Sequence, residues 1–211
     1  MPVIKSKNPL IEHWLGIARD KKTESDQFKT ALESVGLILF SEAINNSLYL
    51  LGKKSIKTPL KKTQVKLIDQ RNVYIIPILR AGLAMLPKIR ELIPEAKVAH
   101  VGLFRNEHTL ISHWYLDKLP KKITKRSTFF ILEPMIATSG TITQVIQRIV
   151  ILGSVRINIL SAIISNAAKE KLEKRFPMLN FYVADIDPIL NSKGYIIPGL
   201  GDAGDRAFNL L

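Results

Sequence analysis

Four short blocks of this chain carry residue types that could hold a polyanion or let a ligand approach the backbone. Glu133 closes an apolar run and is followed by Thr138, Ser139, Gly140 and Thr141, a small-residue and hydroxyl stretch ahead of a helical pattern. Backbone N–H groups at a helix start lack intrahelical partners and lie at the positive end of the helix dipole, so such a loop suits phosphate. Arg80 and Arg105 each follow an apolar run of their own, where a guanidinium can fork onto phosphate oxygens. Between Gly194 and Arg206, glycines alternate with Asp202 and Asp205, so the backbone must turn sharply and can be approached closely. Each block also has a plainer reading. The loop could be a capped helix with Thr138 or Ser139 as N-cap and nothing bound, Arg80 a surface arginine at a helix start, and the glycine-rich stretch a surface turn. Two named phosphate motifs are absent: no Walker lysine follows Gly140, and there is no G-x-G-x-x-G.

The elements that must position these blocks can be read from periodicity. Residues 128–132 form a continuous β-branched and aromatic run, as expected for a strand buried on both faces. From Ile142 the apolar positions Val145, Ile146, Ile149 and Val150 recur at helical spacing, and Gly153 closes that helix. Residues 73–79 and 98–104 predict two more buried strands, ending in Arg80 and Arg105. Residues 154–164 predict another strand, followed by a polar helix through Leu172 that Pro177 ends, and a short strand over 181–184. Two amphipathic helices open the chain, one from Asn8 and one from about Ser25. The lysine-rich residues 50–70 around Thr58-Pro59 predict a projecting arm or hairpin, or a solvated loop. Strand and helix alternating in this order predict an α/β fold, a mostly parallel twisted sheet flanked by helices, as a single domain over 1–211.

Composition sets the outer limits. At 211 residues the chain is long enough for one well-buried domain, and 46% hydrophobic with 23% charged residues is ordinary for a globular protein. Cysteine is absent, which excludes disulfides and thiolate metal sites. No apolar run is long enough to span a membrane, and the N-terminus lacks the order of a secretory signal. The formal net charge of +13 reads mainly as a lysine-rich surface, with clusters from Lys53 to Lys66 and from Lys118 to Arg126. His13 and Trp14 read as packing residues. His108 and His113 read as surface residues of a loop after Arg105, without metal-ligand spacing.

The acid, Ala-Thr and glycine-hydroxyl pattern at 133–141 resembles the loop with which type I phosphoribosyltransferases bind 5-phosphoribosyl-1-pyrophosphate (PRPP). The form here is similar to that of the uracil phosphoribosyltransferase family. The resemblance extends to Ile78-Leu79-Arg80-Ala81-Gly82-Leu83, to Gly102-Leu103-Phe104-Arg105-Asn106-Glu107, and most specifically to the segment 194–206. It covers the chain from about Asn8 to Phe208 and leaves no room for a cleaved transit peptide. It implies transfer of the phosphoribosyl group of PRPP to uracil, giving UMP and pyrophosphate. It also implies that Arg80 and Arg105 hold the pyrophosphate. Glu133, Pro134, Met135, Ile136, Ala137, Thr138, Ser139, Gly140 and Thr141 would cradle the ribose and its 5-phosphate. Ile196, Gly201, Asp202 and Ala203 would read uracil through backbone groups, with Asp202 also near PRPP. Arg105 and Asp202 are the implied catalytic residues. Mg²⁺ is the implied cofactor, held mainly through PRPP rather than by direct protein ligands. The resemblance further implies a homo-oligomer, dimer or higher, with the arm at 50–70 in subunit contact, and leaves GTP open as an effector. The expected partners are the small-molecule substrates, with neither membrane nor nucleic acid. The expected compartment is the cytoplasm, or the plastid stroma if the chain is organelle-encoded.

Three positions depart from the family pattern. The family has Asp at Glu133, Gly at Ser139, and a proline-containing loop where this chain has Ile111-Ser112-His113-Trp114. The extra methylene of Glu133 adds roughly 1.5 Å of reach, and Ser139 costs roughly 1–2 kcal/mol if that backbone is left-handed. These departures keep two further readings open: a catalytically weakened or silent homolog kept for assembly, and a regulator of this fold that senses nucleotide and binds RNA through a basic face. Salt-sensitive RNA affinity that survives Glu133→Ala would mark the regulator.

Overall fold

The computed structural model describes residues 3–47, 50–105, 112–154 and 156–210, apart from the side chains of Arg105 and Ser112. β1 (Val3–Lys5) precedes helices α1 (Pro9–Arg19) and α2 (Ser25–Asn45). Asn8 caps α1, its Oδ1 accepting from the Leu10 amide at 3.0 Å, and Pro9 fills a first-turn position that needs no N–H partner. The hairpin β2 (Leu51–Lys57) and β3 (Lys62–Ile68) follows. Next come β4 (Val73–Leu79), a 3₁₀ turn (Ala81–Met85), α3 (Leu86–Leu92), β5 (Lys97–Val98), β6 (Val101–Arg105) and β7 (Ser112–Asp117). The second half contains β8 (Thr128–Leu132), β9 (Met135–Ile136), α4 (Gly140–Ile151), β10 (Ile157–Ser165), α5 (Asn166–Arg175) and β11 (Asn180–Asp187). It ends with β12 (Ile189–Leu190), β13 (Ile196–Ile197) and α6 (Ala203–Ala207).

The central sheet runs β1-β11-β10-β8-β4-β6-β7, with β5 beside β4 and β9 beside β10. Its pairings are parallel except that of β7, which runs antiparallel to β6. All of β8 and β10 and most of β4 are buried, as their unbroken apolar runs require. Alternate residues serve opposite faces. Ile75, Phe130, Leu160 and Tyr182 pack with α1 and α2, where the rings of Phe40 and Phe130 meet at 4.8 Å. Ile76, Phe129, Ile131 and Phe181 pack with Ile142, Val145, Ile146 and Ile149 of α4 and Leu172 of α5.

β8, β4 and β6 are neighbours in that order, so the ends carrying Glu133, Arg80 and Arg105 share one edge of the sheet. Gly82 lets the turn after Arg80 lie against the end of β8: a Cβ there would stand 2.5 Å from the Leu132 carbonyl oxygen.

Several expectations need correction. The strand predicted over 98–104 is two pieces, β5 and β6, broken at Ala99-His100. The facing β4 residue in that register is Pro77, which has no N–H to give the ladder. His113 and Trp114 lie in β7, not in a loop; Phe104 faces His113 and Leu103 faces Trp114. The edge strand alternates half-buried Trp114 and Leu116 with exposed His113 and Tyr115, a pattern too short to stand out in sequence. The strand read over 181–184 extends through Asp187, and β1 was not foreseen at all. The arm at 50–70 is the antiparallel hairpin, not a loop.

Candidate active site

The loop from 133 to 141 is more ordered than a turn. Met135 and Ile136 form β9 against Ile163 and Ile164 of β10, and the Ser165 hydroxyl donates to the Ala137 carbonyl at 2.6 Å. The loop is therefore pinned to the sheet on its inner side while its far end starts α4. Ser139 is the N-cap of α4, but through its backbone alone. Its φ of 68° and ψ of 0° are left-handed, and its hydroxyl donates to the Thr138 carbonyl at 2.5 Å instead of capping an amide. The condition attached to the Ser-for-Gly departure is thus met: the position is one where glycine is the unstrained residue. Glu133 and residues 135–142 line a small basin of about 100 Å³ at the start of α4.

A second, larger cleft of about 840 Å³ lies alongside. Ala81, Tyr195, Ile196, Gly201, Asp202, Ala203 and Gly204 line one part of it, and Glu133, Met135 and Ala137 line the other. Glu133 borders both cavities. Its residue surface is partly open, yet Oε2 is buried and has no hydrogen-bond partner. Burial without a donor disfavours the charged carboxylate and pushes its pKa up to about 8, favouring the neutral acid at this position.

Arg80 projects from the end of β4 toward the C-terminal segment, its Nη2 donating to Asp205 Oδ1 at 2.7 Å. About half of its side chain remains exposed. Asp202 caps α6, with Oδ1 accepting from the Asp205 amide at 2.9 Å. Arg105 ends β6, which places its backbone at the same sheet edge, while Asn106 and Glu107 of that block lie outside the described residues, as do His108 and Ile111. Pro134 is buried behind the loop, where its carbonyl accepts from the Ile163 amide at 2.9 Å, so it supports the loop rather than lining either cavity.

Sequence reasoning did not single out Arg19, Asp187 and Arg206, which bind the cleft wall from behind. Arg19 donates to both oxygens of Asp187, at 2.8 and 2.6 Å, and to the Gly199 carbonyl at 2.8 Å. Arg206 donates to the carbonyls of Ala18, Leu200 and Asp20 and stacks over Phe28 at 4.2 Å. Two arginines and an aspartate at strand and helix ends were visible as residues, but nothing local pairs Arg19 with Asp187, 168 positions apart.

A parallel sheet that brings an acid-led small-residue loop, two arginine-ended strands and a glycine-rich C-terminal segment to one edge is the architecture of a type I phosphoribosyltransferase. The family model for uracil phosphoribosyltransferase matches residues 5–210. The uracil phosphoribosyltransferase of Campylobacter jejuni is 42% identical over 204 residues, covering 97% of this chain and 96% of that protein. That of Synechococcus elongatus is 39% identical over 204 residues, covering 95% and 94%. A plant relative from Arabidopsis thaliana, named as chloroplastic, is 40% identical and covers 99% of this chain and 71% of its own length. A solved protein of Aquifex aeolicus has a TM-score of 0.91 at 34% identity, covering 98% of this chain and 97% of its own. The chain belongs to the uracil phosphoribosyltransferase family.

Proposed function

We propose that this protein transfers the phosphoribosyl group of PRPP to uracil, forming UMP and pyrophosphate. The observation that carries the reading is the shared position of Glu133, which borders both the loop basin and the cleft walled by the C-terminal segment. A ribose placed at Glu133 has its 5-phosphate toward the start of α4 and its anomeric carbon toward the base.

The loop 133–141 binds the ribose 5-phosphate, with backbone amides at the start of α4 on the phosphate and Glu133 on the ribose hydroxyls. Arg80 and Arg105 hold the pyrophosphate and stabilise the charge that grows on it as it leaves. Ile196, Gly201 and Ala203 present backbone groups to uracil, and Asp202 stands between base and PRPP. A uracil ring nitrogen bonds to the anomeric carbon as the bond to pyrophosphate breaks, and the nitrogen loses its proton.

Among the described residues no three His, Cys, Asp or Glu side chains converge on a point, and the acids at the cleft are Asp202 and Glu133, the latter favoured in its neutral form by burial. That donor set fits Mg²⁺ arriving with PRPP, its shell completed by phosphate oxygens and water. Mg²⁺ would supply charge neutralisation on the pyrophosphate. A homo-oligomer is part of the same reading, because the hairpin β2–β3 stands almost wholly exposed on both faces and an isolated hairpin is marginal in water. No helix among the described residues is long and apolar enough to cross a membrane, and we place the protein in the cytoplasm or a plastid stroma. Uracil-dependent release of pyrophosphate from PRPP tests the reading; release at the same rate without uracil would count against it.

A further inference from the structure

Gly199 has both of its backbone polar groups occupied by one ion pair. Its N–H donates to Asp187 Oδ2 at 2.8 Å, and its carbonyl accepts from Arg19 Nη1 at 2.8 Å. Arg19 and Asp187 are themselves joined by a two-pronged contact at 2.6 and 2.8 Å, and Arg19 Nη2 also reaches Asp185 Oδ2 at 2.9 Å. The Asp187 side chain is 3% exposed and that of Arg19 21%, so water competes little for these bonds. The charge-assisted bonds that Arg19 donates to Asp187 hold the guanidinium more firmly in its charged form than usual.

The consequence lies one residue further along the chain. At φ 60°, Gly199 carries the backbone over Ile196 so closely that a Cβ would run into the Ile196 carbonyl oxygen. The next carbonyl, that of Leu200, accepts from Arg206 Nη1 at 2.7 Å. The peptide planes on both sides of Gly199 and the plane entering Gly201 are therefore each held by a guanidinium or a carboxylate. None of Arg19, Asp187 or Arg206 lines the cleft.

We propose that Arg19, acting through Asp187 and Gly199, is a positioning residue for recognition of the base: by fixing the backbone at Gly199 it sets how the chain enters Gly201, Asp202 and Ala203, which line the cleft. This rests on the reading of the segment as the uracil site. Backbone readout depends on peptide-plane angle more than on side-chain identity, so a clamp on those planes governs affinity for the base while leaving the PRPP side alone. A structural tie, by contrast, would alter stability and leave both substrate constants unchanged.

The test compares wild type with Arg19→Lys, which keeps the charge but cannot form the fork, and with Asp187→Asn, which keeps an acceptor for the Gly199 amide. Arg19→Ala would strand a buried carboxylate and is unsuited to the purpose. Steady-state kinetics well below each melting temperature should show KM for uracil raised about tenfold or more in both variants, with KM for PRPP within about twofold. Equal changes in both constants, or no change in either, would overturn the proposal. Amide hydrogen exchange supplies a readout independent of turnover. Exchange at Gly199, whose amide is bonded to Asp187, should quicken at least tenfold in Arg19→Lys while core strands keep their protection; unchanged exchange would also overturn it. A wild type that binds PRPP but makes no UMP would contradict the function itself, and the exchange arm would still decide whether the clamp exists.

Discussion

Arg80 Nη2 at the end of β4 lies 2.7 Å from Asp205 Oδ1 in the C-terminal segment, 125 residues further along the chain. The pair ties the end of β4 to the C-terminal segment that walls the larger cleft, and Gly204 lies beside it, where a Cβ would sit 3.9 Å from the same Nη2. Half of the Arg80 side chain is exposed, so the pair adds little to stability, roughly 0–1 kcal/mol for contacts of this kind.

Arg80→Ala is therefore expected to leave the melting temperature nearly unchanged while weakening PRPP binding. Loss of hydrogen bonds to a charged group corresponds to about 1.5–3 kcal/mol, or roughly tenfold to a hundredfold in affinity. Isothermal calorimetry with PRPP and Mg²⁺ checks this; undiminished affinity would remove Arg80 from the pyrophosphate site.

Ser139→Gly is expected to stabilise the protein by about 1 kcal/mol, because glycine adopts the left-handed conformation at φ 68° without the Cβ penalty. Turnover should be preserved or raised. Denaturant unfolding together with kcat measures both, and a large fall in kcat would mean that the serine hydroxyl takes part in binding phosphate.

Gly82→Ala is expected to be destabilising by about 1–3 kcal/mol, since the new methyl would stand 2.5 Å from a backbone oxygen at the end of β8. Chemical denaturation measures the loss. A neutral substitution would show that the close approach of the Arg80 turn to β8 is not enforced.

Glu133 makes stability depend on pH. Its pKa rises from 4.5 to about 8 on folding because Oε2 is buried without a donor. The folded state thus retains a proton between those values that the unfolded chain has lost, and the contribution is fully present below pH 4.5. As pH rises through 8 that stabilisation is lost, by at most about 5 kcal/mol. Glu133→Gln has no proton to lose and should flatten this slope. Unfolding free energies at pH 5 and pH 8 for both proteins provide the check; identical slopes would contradict the burial argument.

The strands were legible because two-sided burial leaves an unbroken apolar run, as in Thr128 to Leu132, and the helices because Asn8-Pro9 and the Ile142–Ile149 spacing are local signals. Arg80, Arg105 and Glu133 could each be placed at a strand end from local sequence, but the adjacency of those ends is a property of the sheet order, which no local signal carries. The break opposite Pro77 was not legible, since it arises from a neighbouring strand's missing N–H. Nor was β1, three residues that become a strand only because β11 offers an edge. The Arg19–Asp187–Gly199 clamp was hidden for the same reason: its members are ordinary residues until the fold brings them together.

The measurement that bears most directly on the function is chromatographic detection of UMP after mixing the purified protein with uracil, PRPP and Mg²⁺, with each component omitted in turn. UMP formed only when all three are present is the expected result. No UMP from protein shown by circular dichroism to be folded, with PRPP and uracil in excess, would contradict the proposed activity.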